Sequence, residues 1–395
     1  MKRTILILML TTAGILEAAA GGPENSPPTL LHIDPVRGKD RHPGSRSRPL
    51  RTISGALLLL PELLKHSVTI ELAAGTYDET GGEDMPGNEL QLMRRMRPGV
   101  TVRLVGTVAD GKAATILAWE GGDSMIDVRE GDWELQDLVV GSFSTRQRRG
   151  VLVAGPARLT LRDVGFQCRS FSGAGIMAHR GGHVSLKGKI RLNEQLHDRA
   201  KEETFCGIVA TEFGTVKFEQ REGAELDLGN GSLSASYYGC IRLGCETARI
   251  TSWGRQSNNL AVNSGGRIDL HGTTVTLKAM HPENTPVGPE HDGHILGEDA
   301  HLIIVGKNDT AITLQKASTF TCNDIELKGE FRKTIWAMSG SMFVGRFLTD
   351  VTRLEAHTGA TVNVEAVEGD IKGPVVATSG ALISLPDGSV VGHVR

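Results

Sequence analysis

The chain has 395 residues, with 49 glycines, few aromatic side chains and a formal net charge of −3 at pH 7. So mild a charge excludes a nucleic acid or an anionic membrane surface as a partner held by general electrostatics, and glycine-marked turns recur too often for a helical bundle or a doubly wound sheet. Five cysteines, Cys168, Cys206, Cys240, Cys245 and Cys322, are too few, and odd in number, for a disulfide scaffold.

Residues 1–20 read as a secretory signal, because Lys2 and Arg3 precede the apolar run Ile5 to Leu16 and Ala18, Ala19 and Ala20 offer a small-residue cleavage site. The run is too short for a mature membrane span, so the sequence predicts an exported protein, extracellular or periplasmic. Residues 21–67 form an N-terminal segment in which Thr52 to His66 has helical character. Thr52 or Ser54 can cap its start, Ile53, Leu57, Leu60 and Leu64 recur at helical spacing, and Pro61 can begin a second short helical segment. Such a helix would cover the open end of a stack of strands.

From residue 68 to the end the pattern is strand, tight turn, strand. It recurs in "GIMAHRGGHVSL" (175–186), "GIVATEFGTVKF" (207–218), "CIRLGCETARI" (240–250), "NLAVNSGGRIDL" (259–270), "HILGEDAHLII" (294–304), "IWAMSGSMFV" (335–344) and "VVATSGALISL" (375–385). A repeat of this length made of strands too short to bury a face alone is a solenoid signature. The predicted fold is all-β, a right-handed parallel β-helix over about residues 68–392. Ile176, Ala178, Ile208, Ala210, Ile241, Leu243, Leu260, Val262, Val375 and Ala377 are predicted to point inward.

Within residues 32–106, Gly38, Asp40, Pro49, Thr52 and Ile53 before the helix, and Gly75, Thr76 and Tyr77 after it, resemble the opening of right-handed parallel β-helix proteins of the pectin-lyase-like superfamily. In that superfamily these positions lead into a capping helix and a first coil. The resemblance implies a setting shared by pectate lyases, polygalacturonases, alginate lyases and non-catalytic surface proteins, so it does not name a function. Asn-Thr-Asp, adjacent Asp-Asp, Gly-His-Gly and Arg-Ile-Lys, the elements of polygalacturonases, are absent; "HDGHIL" (291–296) and "ARITS" (248–252) are incomplete versions.

Outward side chains supply the candidate sites. Placed on the second strand of successive coils, Lys217, Arg249 and Arg267 predict a basic stripe for an acidic polysaccharide, with Arg242, His179 and Trp336 on the first strand as further contacts. Trp336 is the one tryptophan among Trp119, Trp133, Trp253 and Trp336 that the frame places outward. Turn residues Glu212, Glu246, Glu298 and Asp299 fall at near-equivalent coil positions and could share Ca²⁺. The polar interruption 280–301 carries His281, His291, Asp292, His294 and His301, a set that includes metal-ligating types and otherwise makes a solvated lip on the binding face. Cys206 and Cys240 are expected in neighbouring layers but unbonded, with Cys240 aligned to Gly207. The sequence therefore predicts a monomeric, exported β-helix that binds glycan or scaffolds a surface assembly without catalysis. The alternative is a lyase or hydrolase acting on an anionic polysaccharide such as pectate or alginate.

Overall fold

The computed structural model describes residues 29–78, 90–118, 123–142, 147–168, 171–192, 207–219, 221–252 and 258–392. The signal segment, Trp119, Trp253 and Cys206 lie outside the described residues. Thirty-three strands join one continuous hydrogen-bonded ladder. Its pairings are parallel until the last, where Leu382–Ser384 meets Val390–Gly392 antiparallel. This is a parallel β-helix with three sheets along its length. The first runs from Leu90–Met93 through Gly207–Thr211, Leu233–Ser236, Leu260–Val262 and Val287–Pro289 to Val375–Ala377. The second runs from Leu30–Ile33 through Val68–Leu72, Thr215–Phe218, Cys240–Arg242 and Arg267–Asp269 to Leu382–Ser384. The third contains Gly75–Tyr77, Glu225–Leu228, Thr247–Ser252 and Thr274–Ala279.

Alternate residues of each short strand enter one contiguous core. Ile176, Ala178, Ile208, Ala210, Ile241, Leu243, Leu260 and Val262 are all buried, as the alternation predicts, whereas Val375 and Ala377 are half-buried near the C-terminal end. The stack starts earlier than predicted: Leu30–Ile33 pairs with Val68–Leu72 ahead of the helix. The helix is also shorter, Ile53–Leu59, with Thr52 as its N-cap accepting from the Gly55 amide. Asp40 locks that cap by accepting from the Arg51 and Thr52 amides and the Thr52 hydroxyl, which gives the Gly-x-Asp opening its physical role. Pro61 starts no second helix; the chain instead forms Leu63–Leu64, paired with Arg95–Met96.

The corner between the first and second sheets is built from one repeated unit. Two consecutive residues take left-handed φ at Arg180–Gly181, Glu212–Phe213, Tyr237–Tyr238, Ser264–Gly265, His291–Asp292, Lys316–Ala317, Ser339–Gly340, Thr358–Gly359 and Ser379–Gly380. The amide of each second residue donates to the carbonyl of the first residue one coil onward, as in Phe213 to Tyr237, Tyr238 to Ser264 and Asp292 to Lys316. A small residue must follow, because the chain packs there against the preceding coil: a Cβ at Gly239 would overlap the Ala210 carbonyl. The true marks of the repeat are therefore Gly182, Gly214, Gly239, Gly266 and Gly293, and the predicted frame, which set the turns of the 240–250 and 294–304 segments at Thr247 and Ala300, skips two turns.

Candidate functional site

That slip moves several predicted site residues. Cys240–Arg242 pairs with Thr215–Lys217 and with Arg267–Asp269, so it belongs to the second sheet and not the first. Arg249 lies on the third sheet between Asp227 and Thr276. Lys217, Arg249 and Arg267 therefore do not form one stripe. Lys217 and Arg242 are neighbours in one column, Arg267 lies diagonally beside them in the next coil, and Arg249 is around the corner. Each cation also has an acid at hand: Lys217 sits 2.9 Å from Glu219, Arg249 3.7 Å from Asp227, and Arg267 and Arg242 3.4 and 3.9 Å from Asp269. His294 follows Arg267 on the second sheet, and Cys240 consequently does not align with Gly207, which pairs on the first sheet.

The predicted Ca²⁺ ligands separate for the same reason. Glu212 is in the first corner, 3.2 Å from Arg180 and 3.8 Å from His179. Glu246, Glu298 and Asp299 lie at the entry to the third sheet, where Asp299 accepts from the Gly272 amide at 2.8 Å. His291 is 2.5 Å from Lys316. Among the described residues no three His, Cys, Asp or Glu side chains gather as metal ligands. His179 does project from the first sheet, beside Thr211 of the next coil. Burial lowers its imidazole pKa despite the opposing charge of Glu212.

Farther along the first sheet, Trp336 lines a cleft of about 220 Å³. Its floor is two columns of outward residues, Gly288, Thr313 and Trp336 in one and Glu290 and Gln315 in the other. Gly288 opens the floor: a Cβ there would lie 2.5 Å from the Asn258 amide nitrogen. Glu283, Asn284 and Thr285 make a wall that grows from the 280–301 interruption, with Asp309 and Thr310 at the strand start. Two buried amides fasten this wall from beneath. Asn284 donates to Ser252 Oγ at 3.3 Å, and Asn308 donates to the His281 carbonyl at 2.6 Å.

Trp336 is held by charge. The Lys333 ammonium lies 4.9 Å from the centre of the indole ring and 3.1 Å from Glu355. Glu355 stands beside Trp336 in the next coil and is 5 % exposed. Arg353 at 2.5 Å and His357 at 3.6 Å complete its shell. Burial raises the Glu355 pKa, but hydrogen bonding and attraction to Lys333, with Arg353 and His357 adding to it, outweigh that and leave the carboxyl below its ordinary value. The Trp336 ring is thus fixed before any ligand arrives. Of the sequence-predicted residues, Trp336 alone lines this cleft; Glu283, Glu290, Asp309, Gln315 and Lys333 were not singled out. Of these, only Glu290 had a local signal, the 290–293 segment "EHDG", a further member of the corner repeat.

The chain has a partial family match and a distant structural likeness among known proteins. Residues 36–95 match the family described as Protein of unknown function (DUF1565), a family found in parallel β-helix proteins. No curated protein matches. Among solved structures, the native GH136 lacto-N-biosidase from Eubacterium ramulus is similar at 9 % identity and a TM-score of 0.29, over 88 % of this chain and 67 % of that one.

Proposed function

We propose that this is an exported β-helix protein that binds a neutral glycan in the Trp336 cleft, without catalysis. The observation that supports it is a fixed aromatic face set in a floor and wall of hydroxyl, amide and carboxylate groups. A pyranose has an apolar face that stacks on an aromatic ring and a rim of hydroxyls that donate to such acceptors. Glu283, Glu290 and Asp309 line the cleft, and the cations beside it are already matched, Arg332 to Asp309 at 3.0 Å and Lys333 to Glu355 at 3.1 Å, so the cleft offers an anionic polymer little attraction. An acidic polysaccharide would have to use the exposed Lys217, Arg242 and Arg267 instead. Retention on immobilised cellulose, xylan, chitin, polygalacturonate and alginate separates the two. Retention on a neutral polymer that Trp336→Ala abolishes is the expected result. Retention only on polygalacturonate or alginate, unchanged in Trp336→Ala, would refute it.

A further inference from the structure

The formal net charge of −3 hides an uneven distribution. Along the sheets, outward cations stand beside acids, as at Lys217, Arg249 and Arg267. The N-terminal end of the stack differs. Its loop carries Lys39, Arg41, Arg46, Arg48 and Arg51, all exposed, and among the described residues none of these side chains has an acid within ion-pair distance. The acids of residues 29–72 do not compensate them. Asp34 is taken by Arg37 at 2.6 Å, Glu71 by His32 at 3.0 Å, and Asp40 by the Arg51 and Thr52 amides and the Thr52 hydroxyl, which leaves only Glu62.

The loop is fixed in place. The His32 amide donates to the Gly44 carbonyl at 2.8 Å, the Leu50 amide to the His32 carbonyl at 3.0 Å and the Asp34 amide to the Leu50 carbonyl at 2.9 Å, so the loop covers the free edge of the first strand. The Lys39 amide, donating to the Pro49 carbonyl at 3.1 Å, ties its two ends together. The cations therefore ride on the outermost layer of the solenoid. The cap helix brings apolar side chains to the same end. Ile53, Ala56 and Leu60 are buried against the stack, and at about 100° per residue Leu58 falls on the opposite side, where it is 77 % exposed. Gly55, one turn before Leu58 on that side, touches the loop: a Cβ there would lie 2.5 Å from Asp40 Oδ1. Val36, 86 % exposed, and Leu63, exposed and paired with the exposed Arg95, extend the mixture of aliphatic and basic groups.

We propose that the N-terminal end of the solenoid docks on an anionic phospholipid surface, with the loop cations against the headgroups and Leu58, flanked by Val36 and Leu63, in the interfacial layer. Two observations together select a bilayer. A dense anionic surface meets all the loop cations at once, and the interface beneath it takes up exposed aliphatic side chains. A soluble polyanion would pair the cations and leave Leu58 and Val36 in water. Net charge averages over the whole chain, whereas attraction to a surface acts within about 8 Å at physiological ionic strength, so this end responds to its own charge. The helix has seven residues and lies on the membrane instead of crossing it. The Trp336 cleft is several coils away and takes no part.

Flotation with vesicles of phosphatidylcholine alone, and of equimolar phosphatidylcholine and phosphatidylglycerol, is the test. It uses protein without residues 1–20, whose apolar run would itself bind lipid. Wild type should float with the mixed vesicles and not with phosphatidylcholine alone. At about fivefold per cation, Arg41→Ser/Arg46→Ser/Arg48→Ser should lose about a hundredfold in partition, Leu58→Ser about tenfold, and Arg41→Lys/Arg46→Lys/Arg48→Lys little. Wild type that ignores the mixed vesicles, or a serine triple variant that binds them as wild type does, overturns the proposal. A loss as large in the lysine variant also overturns it, because charge would then not be what binds. Binding abolished in the serine triple but untouched by Leu58→Ser, with the same dependence on immobilised polygalacturonate, would make this end a polyanion site and reject the bilayer. Trp336→Ala should float as wild type does, which keeps failure here distinct from failure of the cleft.

Discussion

Glu355 shows how a single buried charge can govern a surface site. It is enclosed by Lys333, Arg353 and His357, and through Lys333 it fixes the Trp336 ring. Removing one partner of a buried ion cluster leaves the others unneutralised, so Glu355→Gln is expected to cost about 3 kcal/mol, read as a lower thermal midpoint. The sign with pH follows from its depressed pKa. Its stabilisation is complete above the unfolded carboxylate value, ~4.3, and is lost as pH falls through the lower folded value. The midpoints of wild type and Glu355→Gln should therefore differ most near neutral pH and converge as pH falls below the depressed folded value. A gap that persists unchanged into acid would mean that Glu355 acts through packing alone.

At the scale of the element, the corner turn makes opposite demands within three consecutive residues. Gly239 must be small, and Gly239→Ala is expected to destabilise by about 1–3 kcal/mol through overlap with the preceding coil. Tyr237→Gly should act oppositely, gaining about 1 kcal/mol by relieving left-handed strain. Thermal midpoints of the two variants, measured side by side, test the pair; a loss in both would mean that the Tyr237 ring is structural. The same turn explains what the sequence could and could not convey. Alternation placed Ile176, Ile208 and Ile241 in the core correctly, because burial on one face repeats every second residue whatever the coil frame. The frame itself failed at two turns with no glycine among their left-handed residues, although it caught Glu212-Phe213-Gly214, which is built alike. Tyr237-Tyr238-Gly239 and His291-Asp292-Gly293 hold the same geometry with side chains that do not advertise it. Two corners were therefore passed over, Arg242 and His294 were assigned one strand too early, and Arg249 was set in a column that it does not share with Lys217. The cleft was hidden for a further reason: Glu290, Asp309 and Trp336 are far apart in sequence and become neighbours only through the stacking of whole coils.

Across the whole molecule, stacking turns sequence-distant side chains into columns, and the first sheet carries the acidic, polar cleft around Trp336. The basic residues once expected to meet an anionic polymer are spread over two sheets and matched by acids. These two surfaces respond oppositely to ionic strength. Stacking and hydroxyl contacts are nearly indifferent to salt, whereas exposed charge contacts fade once the screening length falls to about 3 Å near 1 M. The most direct measurement is retention of the wild-type protein on immobilised neutral and anionic polysaccharides from low salt to 1 M. Retention on a neutral polymer, constant across that range and absent in Trp336→Ala, is the predicted result; retention confined to anionic polymers and lost as salt rises would contradict it.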